Sequence, residues 1–113
     1  MARLDYVELP ATDIAATRAF YERAFDWTMM QFAPTYAATT TSDTNVGLQA
    51  DAAERPAAPL AVIQVDDLEA VLTAVEAAGG KIVQPIRAFP GGHRFHFTDP
   101  SGNELAAWQT APE

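Results

Sequence analysis

The chain contains no cysteine, which removes disulfide frameworks, thiolate nucleophiles and cysteine-held zinc from consideration. It is poor in positive charge. Seven Lys and Arg stand against fifteen Asp and Glu, for a formal net charge of -8. The basic residues are scattered, and a surface of that sign repels phosphate backbones and anionic lipids, so nucleic acid and membrane surfaces are poor partners. No apolar run approaches the roughly 20 residues that cross a bilayer. No charged-then-apolar leader opens the sequence, and the expectation is a soluble cytoplasmic protein. Histidine is scarce too. His93 and His96 lie three apart in an extended stretch, so they point to opposite faces and cannot share a metal ion.

What is present is enough for one domain. A chain of 113 residues buries roughly two thirds of its unfolded surface and needs no covalent staple. Leu4 to Leu9 alternates as a strand, and Pro10, which has no N–H to give, ends it. Thr12 or Asp13 caps a helix from about Asp13 to Phe25, with Ile14, Tyr21 and Phe25 in its apolar stripe. Extended segments follow at Trp27 to Ala33, Tyr36 to Ser42 and Val46 to Ala50, then a proline-bearing linker over 51–59. The order then repeats. Leu60 to Val65 is an apolar strand, and Asp66, with Glu69 three residues on, caps a helix carrying Leu68, Val71, Leu72 and Val75 at helical spacing. Gly79-Gly80 stops that helix, and Lys81 to Phe89 is extended. Asp13 and Asp67, Ile14 and Leu68, and Glu22 and Glu76 are each 54 residues apart. The reading is a single α+β domain with module one over about 1–50 and module two over about 60–110, each strand, helix, then three strands.

The end of the chain is the most informative stretch. Arg94 to Thr98 and Glu104 to Trp108 alternate apolar and polar residues around Asp99-Pro100-Ser101-Gly102, a turn in which each residue type has a backbone reason to be there. This closing hairpin resembles that of the vicinal oxygen chelate superfamily, which includes glyoxalase I, bleomycin and fosfomycin resistance proteins and extradiol dioxygenases. The opening Val7-Glu8-Leu9-Pro10, Asp13, Phe20-Tyr21 and Phe25-Asp26-Trp27 is similar to the family's first strand and helix, with Asp26 where a glycine is usual. The resemblance implies two βαβββ modules whose curved, glyoxalase-like mixed sheet surrounds a cavity, with helices on the outer face. Leu4, Tyr6, Glu8, Leu60, Val62, Gln64, Glu104, Ala106 and Trp108 then line the cavity. It also implies a homodimer.

Metal-dependent members hold their ion with His or Glu on four cavity-facing strands. The matching positions here are Tyr6, Gln49 (or Leu48 by a one-residue slip), Leu60 and Ala106. None offers imidazole or carboxylate, so no metal cofactor is expected. The resemblance thus implies the fold while putting glyoxalase I activity, extradiol ring cleavage and metal-dependent epoxide opening in doubt. The residues left to carry chemistry are Glu8 and His96 as proton-transfer groups, and Tyr6, Gln49, Gln64, Arg94 and Trp108 as ligand contacts. Glu8 pairs with Arg94 or water in the bland alternative, and His96 stacks on Trp108 or Phe95. The expected function is a metal-free small-molecule binding protein like the bleomycin resistance proteins. The alternatives are a metal-independent isomerase or lyase of a small carbonyl compound, and a paralogue with a closed cavity that serves interaction only. An acidic, aromatic-lined cavity favours cationic or planar ligands.

Overall fold

Two aspartates open the two helices in the same way. Asp13 and Asp67 both sit in extended backbone, at φ -135 with ψ 95 and 97, and each accepts a hydrogen bond from the amide three residues on, Ala16 and Ala70, at 3.1 Å. The second cap is therefore Asp67 and not Asp66. The 54-residue repeat already pairs Asp67 with Asp13. The structure, a computed structural model, describes residues 2–111. Tyr6–Leu60 forms one unit, and residues 2–5 join residues 61–111 in the other. The fold is α+β, two βαβββ modules, as the sequence leads one to expect. Among the described residues, no helix is long and apolar enough to cross a membrane.

Module one contains β1 (Arg3–Pro10), α1 (Ile14–Phe25), β2 (Met30–Ala33), β3 (Tyr36–Ala38) and β4 (Asn45–Gln49). The end of β1 runs parallel to β4, with Val7 opposite Val46 and Leu9 opposite Leu48, while β4–β3 and β3–β2 are antiparallel. Helix α1 covers one face through Ile14 and Tyr21, which pack on Ala11, Met29 and Leu48 with Leu9 and Ala50. Phe25, expected in the buried stripe, is 56% exposed and instead stacks on Tyr21 and Trp27. Strand β2 begins at Met30, not Trp27. Trp27 lies flat on Tyr21, and the backbone of Met29 is taken by helix side chains: Glu22 Oε2 accepts from its N–H and Arg18 Nη2 donates to its carbonyl at 2.6 Å. Strand β3 ends at Ala38 for a similar reason. The Thr39 amide still donates to the Val46 carbonyl, but the Thr39 hydroxyl accepts from the Val46 amide and donates to Asn45 Oδ1, so a side chain replaces the return bond of the ladder.

Module two contains β5 (Leu60–Gln64), α2 (Leu68–Ala77), β6 (Lys81–Phe89), β7 (Gly92–Thr98) and β8 (Glu104–Thr110). β5 is parallel to β8, and β8–β7 and β7–β6 are antiparallel. Under α2, Leu68 packs with Val65, Phe95 and Ala107, flanked by Ile63, Val71, Leu72 and Val75. The β7–β8 turn forms as its residues dictate. Asp99 Oδ1 accepts from the Ser101 and Asn103 amides at 2.9 Å, and Gly102 takes the φ of 87 that a side chain would resist.

Candidate functional site

Strand register decides which side chains of module two share a face. Gln64 stands opposite Trp108, Trp108 opposite Arg94, and Arg94 opposite Arg87, so β5, β8, β7 and β6 contribute one transverse row. Ala106 and His96 face each other in the next row. Directly opposed residues project to the same side of a sheet. Ile63, Phe95 and Ala107 fill the helix side, so this row and His96 lie on the other.

His96 is the centre of that face. It is 5% exposed and held at both ring nitrogens. Arg94 reaches Nε2 with Nε at 3.2 Å and Nη2 at 2.8 Å, and Nδ1 lies 2.8 Å from Glu104 Oε2. A guanidinium can only donate, so Nε2 is the acceptor and Nδ1 carries the proton, which it donates to Glu104. The ring is thus fixed as one neutral tautomer. Burial pushes its pKa below 6.5. The Glu104 hydrogen bond opposes that shift, and the charges of Arg94 and Arg87 reinforce it. Trp108 is fixed as well: its indole N–H donates to Asp5 Oδ1 at 3.0 Å, and its ring meets Phe89 edge-on at 5.9 Å. Arg94 also lies over the Phe89 ring, 5.8 Å from its centroid. Gln64 Oε1 accepts from Arg3 at 3.3 Å. The structure brings together His96, Arg94, Trp108 and Gln64, four of the residues singled out from sequence. It sets Glu104, expected on the same face, against His96, and adds Arg87, Asp5, Arg3 and Phe89. Arg87 could have been found by counting, because the two-residue turn Pro90-Gly91 joins Phe89 to Gly92 and so sets Arg87 opposite Arg94. Asp5 left no such signal, since its partner lies 103 residues away.

Module one holds Tyr6, Glu8 and Gln49. The Tyr6 and Tyr36 hydroxyls are hydrogen-bonded to each other. A Cβ built on Gly47 would collide with both hydroxyl oxygens and lie 2.8 Å from Tyr6 Cζ, so glycine is what admits the two phenols. Glu8 stands opposite Gly47 in the β1–β4 ladder and is 5% exposed. Gln49 Oε1 accepts from the Asp51 amide at 3.0 Å. Leu48 is fully buried in the helix-side core, so of the two candidate positions on β4 it is Gln49 that lies on the open side.

Tyr6, Gln49, Leu60 and Ala106, which the resemblance assigns to metal ligands, do not fit a divalent ion. The side chains of Leu60 and Ala106 have no donor atom, the Tyr6 hydroxyl is bonded to that of Tyr36, and Gln49 Oε1 accepts from the Asp51 amide. Among the described residues, no group of three or more His, Cys, Asp or Glu comes together in a way that could hold a metal.

The sequence matches the Glyoxalase/Bleomycin resistance protein/Dioxygenase superfamily over residues 3–107. The chain belongs to that superfamily. No curated protein matches this superfamily member in sequence. Solved structures do match it. Methylmalonyl-CoA epimerase from Mycobacterium tuberculosis is 16% identical with a TM-score of 0.77, covering 97% of this chain and 89% of its own. A superfamily member from Vibrio splendidus is 16% identical with a TM-score of 0.71, over 97% and 99%. The Mn(II)-bound glyoxalase from Novosphingobium aromaticivorans is 23% identical with a TM-score of 0.70, and this chain covers 41% of its length. At such identities the likeness establishes the shared superfamily fold and leaves the reaction open.

Proposed function

We propose that this superfamily member is a small-molecule binding protein that works without the family's metal ligands. The observation that carries the reading is the face of module two. Arg94 contributes a guanidinium and Trp108 a flat apolar surface, and each is held in place, Arg94 against the buried His96 ring and Trp108 by Asp5. Side chains already fixed lose little further rotamer freedom when a ligand arrives, which is what a binding surface needs. The reading takes the protein as a cytoplasmic homodimer, with the dimer open to sedimentation equilibrium. To test the metal-free part, the protein is purified without chelators, its metal content measured, and its melting temperature followed during titration with Ni²⁺, Zn²⁺, Fe²⁺ and Mn²⁺. The expected result is no stoichiometric metal and no stabilisation. One tightly bound ion per chain would overturn it.

A second reading, a metal-independent isomerase or lyase with Glu8 and His96 in proton transfer, draws on the burial of both groups. It is the weaker one. A general base needs a lone pair facing substrate, and that of His96 Nε2 is already occupied by Arg94.

A further inference from the structure

Module one has a cleft of its own. Two segments line it: Asp26, Trp27 and Thr28 where the chain leaves α1, and Thr39, Thr41 and Ser42 after β3. It encloses about 170 Å³. Drug-sized ligands occupy roughly 300 Å³ or more, so one small ring fills it. Thr39 is buried, and its hydroxyl is spent on Val46 and Asn45. The other polar side chains are not spent. Among the described residues, the Asp26 carboxylate, the Trp27 indole N–H and the hydroxyls of Thr28, Thr41 and Ser42 make no hydrogen bond or ion pair. Trp27 has Tyr21 at 5.2 Å and Phe25 at 5.6 Å, but those two rings are only 6.0 Å from each other. They cannot flank the indole on both faces, so the face away from Tyr21 is not covered by Phe25. The walls are set beforehand. Arg18 and Glu22 hold the Met29 backbone next to Thr28, and Asn45 Oδ1 accepts from both the Thr39 hydroxyl and the Ser42 amide. Asp26 sits at φ 59, which glycine adopts more readily, so the carboxylate stands there at some backbone cost.

This donor and acceptor set selects its ligand. The hydroxyls donate and accept, the indole N–H only donates and the carboxylate only accepts. An anion would meet Asp26 and a chain of net charge -8. An apolar molecule would strip water from these groups and leave them unpaired. A cation cannot accept from the indole N–H. A neutral ring bearing several hydroxyls answers every group: it donates to Asp26, accepts from Trp27, exchanges bonds with Thr28, Thr41 and Ser42, and packs its C–H side on the flat indole.

We infer that this cleft is a binding site for a neutral polyhydroxylated ring, a single monosaccharide unit, with Asp26 accepting from its hydroxyls and Trp27 supplying the flat surface beneath it. The site shares no residue with the module-two face and stands or falls apart from the function proposed above.

D-Glucose, D-galactose and D-mannose test this against cyclohexanol and cyclohexylamine, rings of similar size that lack the array of hydroxyls and, in the amine, carry a positive charge. Each is titrated into the intact protein while the indole N–H resonances are followed by NMR. The chain has two tryptophans, so Trp108, whose N–H is engaged by Asp5, serves as the internal reference. At least one hexose is expected to move the Trp27 resonance saturably, to bind at least tenfold more tightly than both controls, and to leave Trp108 in place. Asp26→Gly, which accepts a φ of 59 without strain, should lose that affinity at least tenfold, and Thr41→Val should weaken it severalfold. The wild-type comparison needs no variant, so a misfolded substitution does not blunt the test. The inference is overturned if no hexose moves Trp27 saturably, or if Trp27 moves only in parallel with Trp108. It is equally overturned if either control binds as tightly as the hexoses, or if hexose affinity is unchanged in Asp26→Gly.

Discussion

Replacing Gly47 by alanine tests the tightest packing in module one. The new methyl carbon would lie 2.8 Å from Tyr6 Cζ, where carbon atoms prefer roughly 3.5–4.0 Å, and would overlap the hydroxyls of Tyr6 and Tyr36 as well. Gly47 is buried in the middle of β4, opposite Glu8 on one side and Ala38 on the other. The backbone cannot retreat without breaking both ladders, so the rings must move. Overpacking of this kind costs about 1–3 kcal/mol, and a displaced Tyr6–Tyr36 hydrogen bond adds about 1 kcal/mol. A net loss of about 2–4 kcal/mol corresponds to a fall of about 8–16 °C in melting temperature for a domain of this size. Urea denaturation with matched m-values reads the free energy directly. The double replacement Tyr6→Phe with Tyr36→Phe removes both oxygens, so adding Gly47→Ala to that background should cost less than half as much. A loss below about 0.5 kcal/mol in the wild-type background, the range of neutral surface changes, would refute the view that Gly47 is there to admit the phenols. An equal loss in both backgrounds would place the clash elsewhere.

Two further expectations follow from the hydrogen-bonding pattern. His96 has its pKa held below 6.5 in the folded protein, by burial first and by Arg94 after it, so between the two values the unfolded chain binds more protons. Its contribution to stability is therefore full above about pH 6.5 and lost as pH falls toward the folded value. The wild-type melting temperature should drop through that window more than that of His96→Gln. Glu104→Gln should lower the His96 pKa further and Arg94→Gln should raise it, both read from the imidazole resonances. At the start of α2, Asp67→Ala should cost about 1 kcal/mol through loss of the cap, and Asp66→Ala much less; equal effects in denaturation would contradict the assignment of Asp67.

Those three expectations draw unequally on the sequence. The element order, the closing turn and the alternation that sends Arg94 and His96 to one side are local, and local chemistry is legible. Asp99 needs only its own next four residues to make its turn. Strand ends depart from the pattern where a side chain from elsewhere claims backbone that propensity assigns to a ladder, as Arg18 and Glu22 do at Met29. Asp26 is a related case. It takes the left-handed φ of 59 just past α1, the conformation that makes glycine usual there, and aspartate is among the few residues that tolerate it. The partners of the site were least legible of all. Glu104 could be placed on the open face but not at His96, and Tyr36 could not be set against Tyr6, because register between strands distant in sequence is fixed by packing and not by pattern.

Register also explains why the acid of β8 stands where it does. Ala106, the last position the resemblance assigns to a ligand, is directly opposite His96. A carboxylate at that rung would be fully buried beside the imidazole, since position 106 has no exposure at all, and a buried anion is costly unless it is paired. The acid of β8 stands instead at Glu104, two residues earlier on the same face, where its side chain keeps 46% of its exposure and still reaches His96 Nδ1 on the diagonal. Moving the charge by one pleat exchanges a buried anion that needs a cation for a half-solvated one that needs only a hydrogen-bond donor.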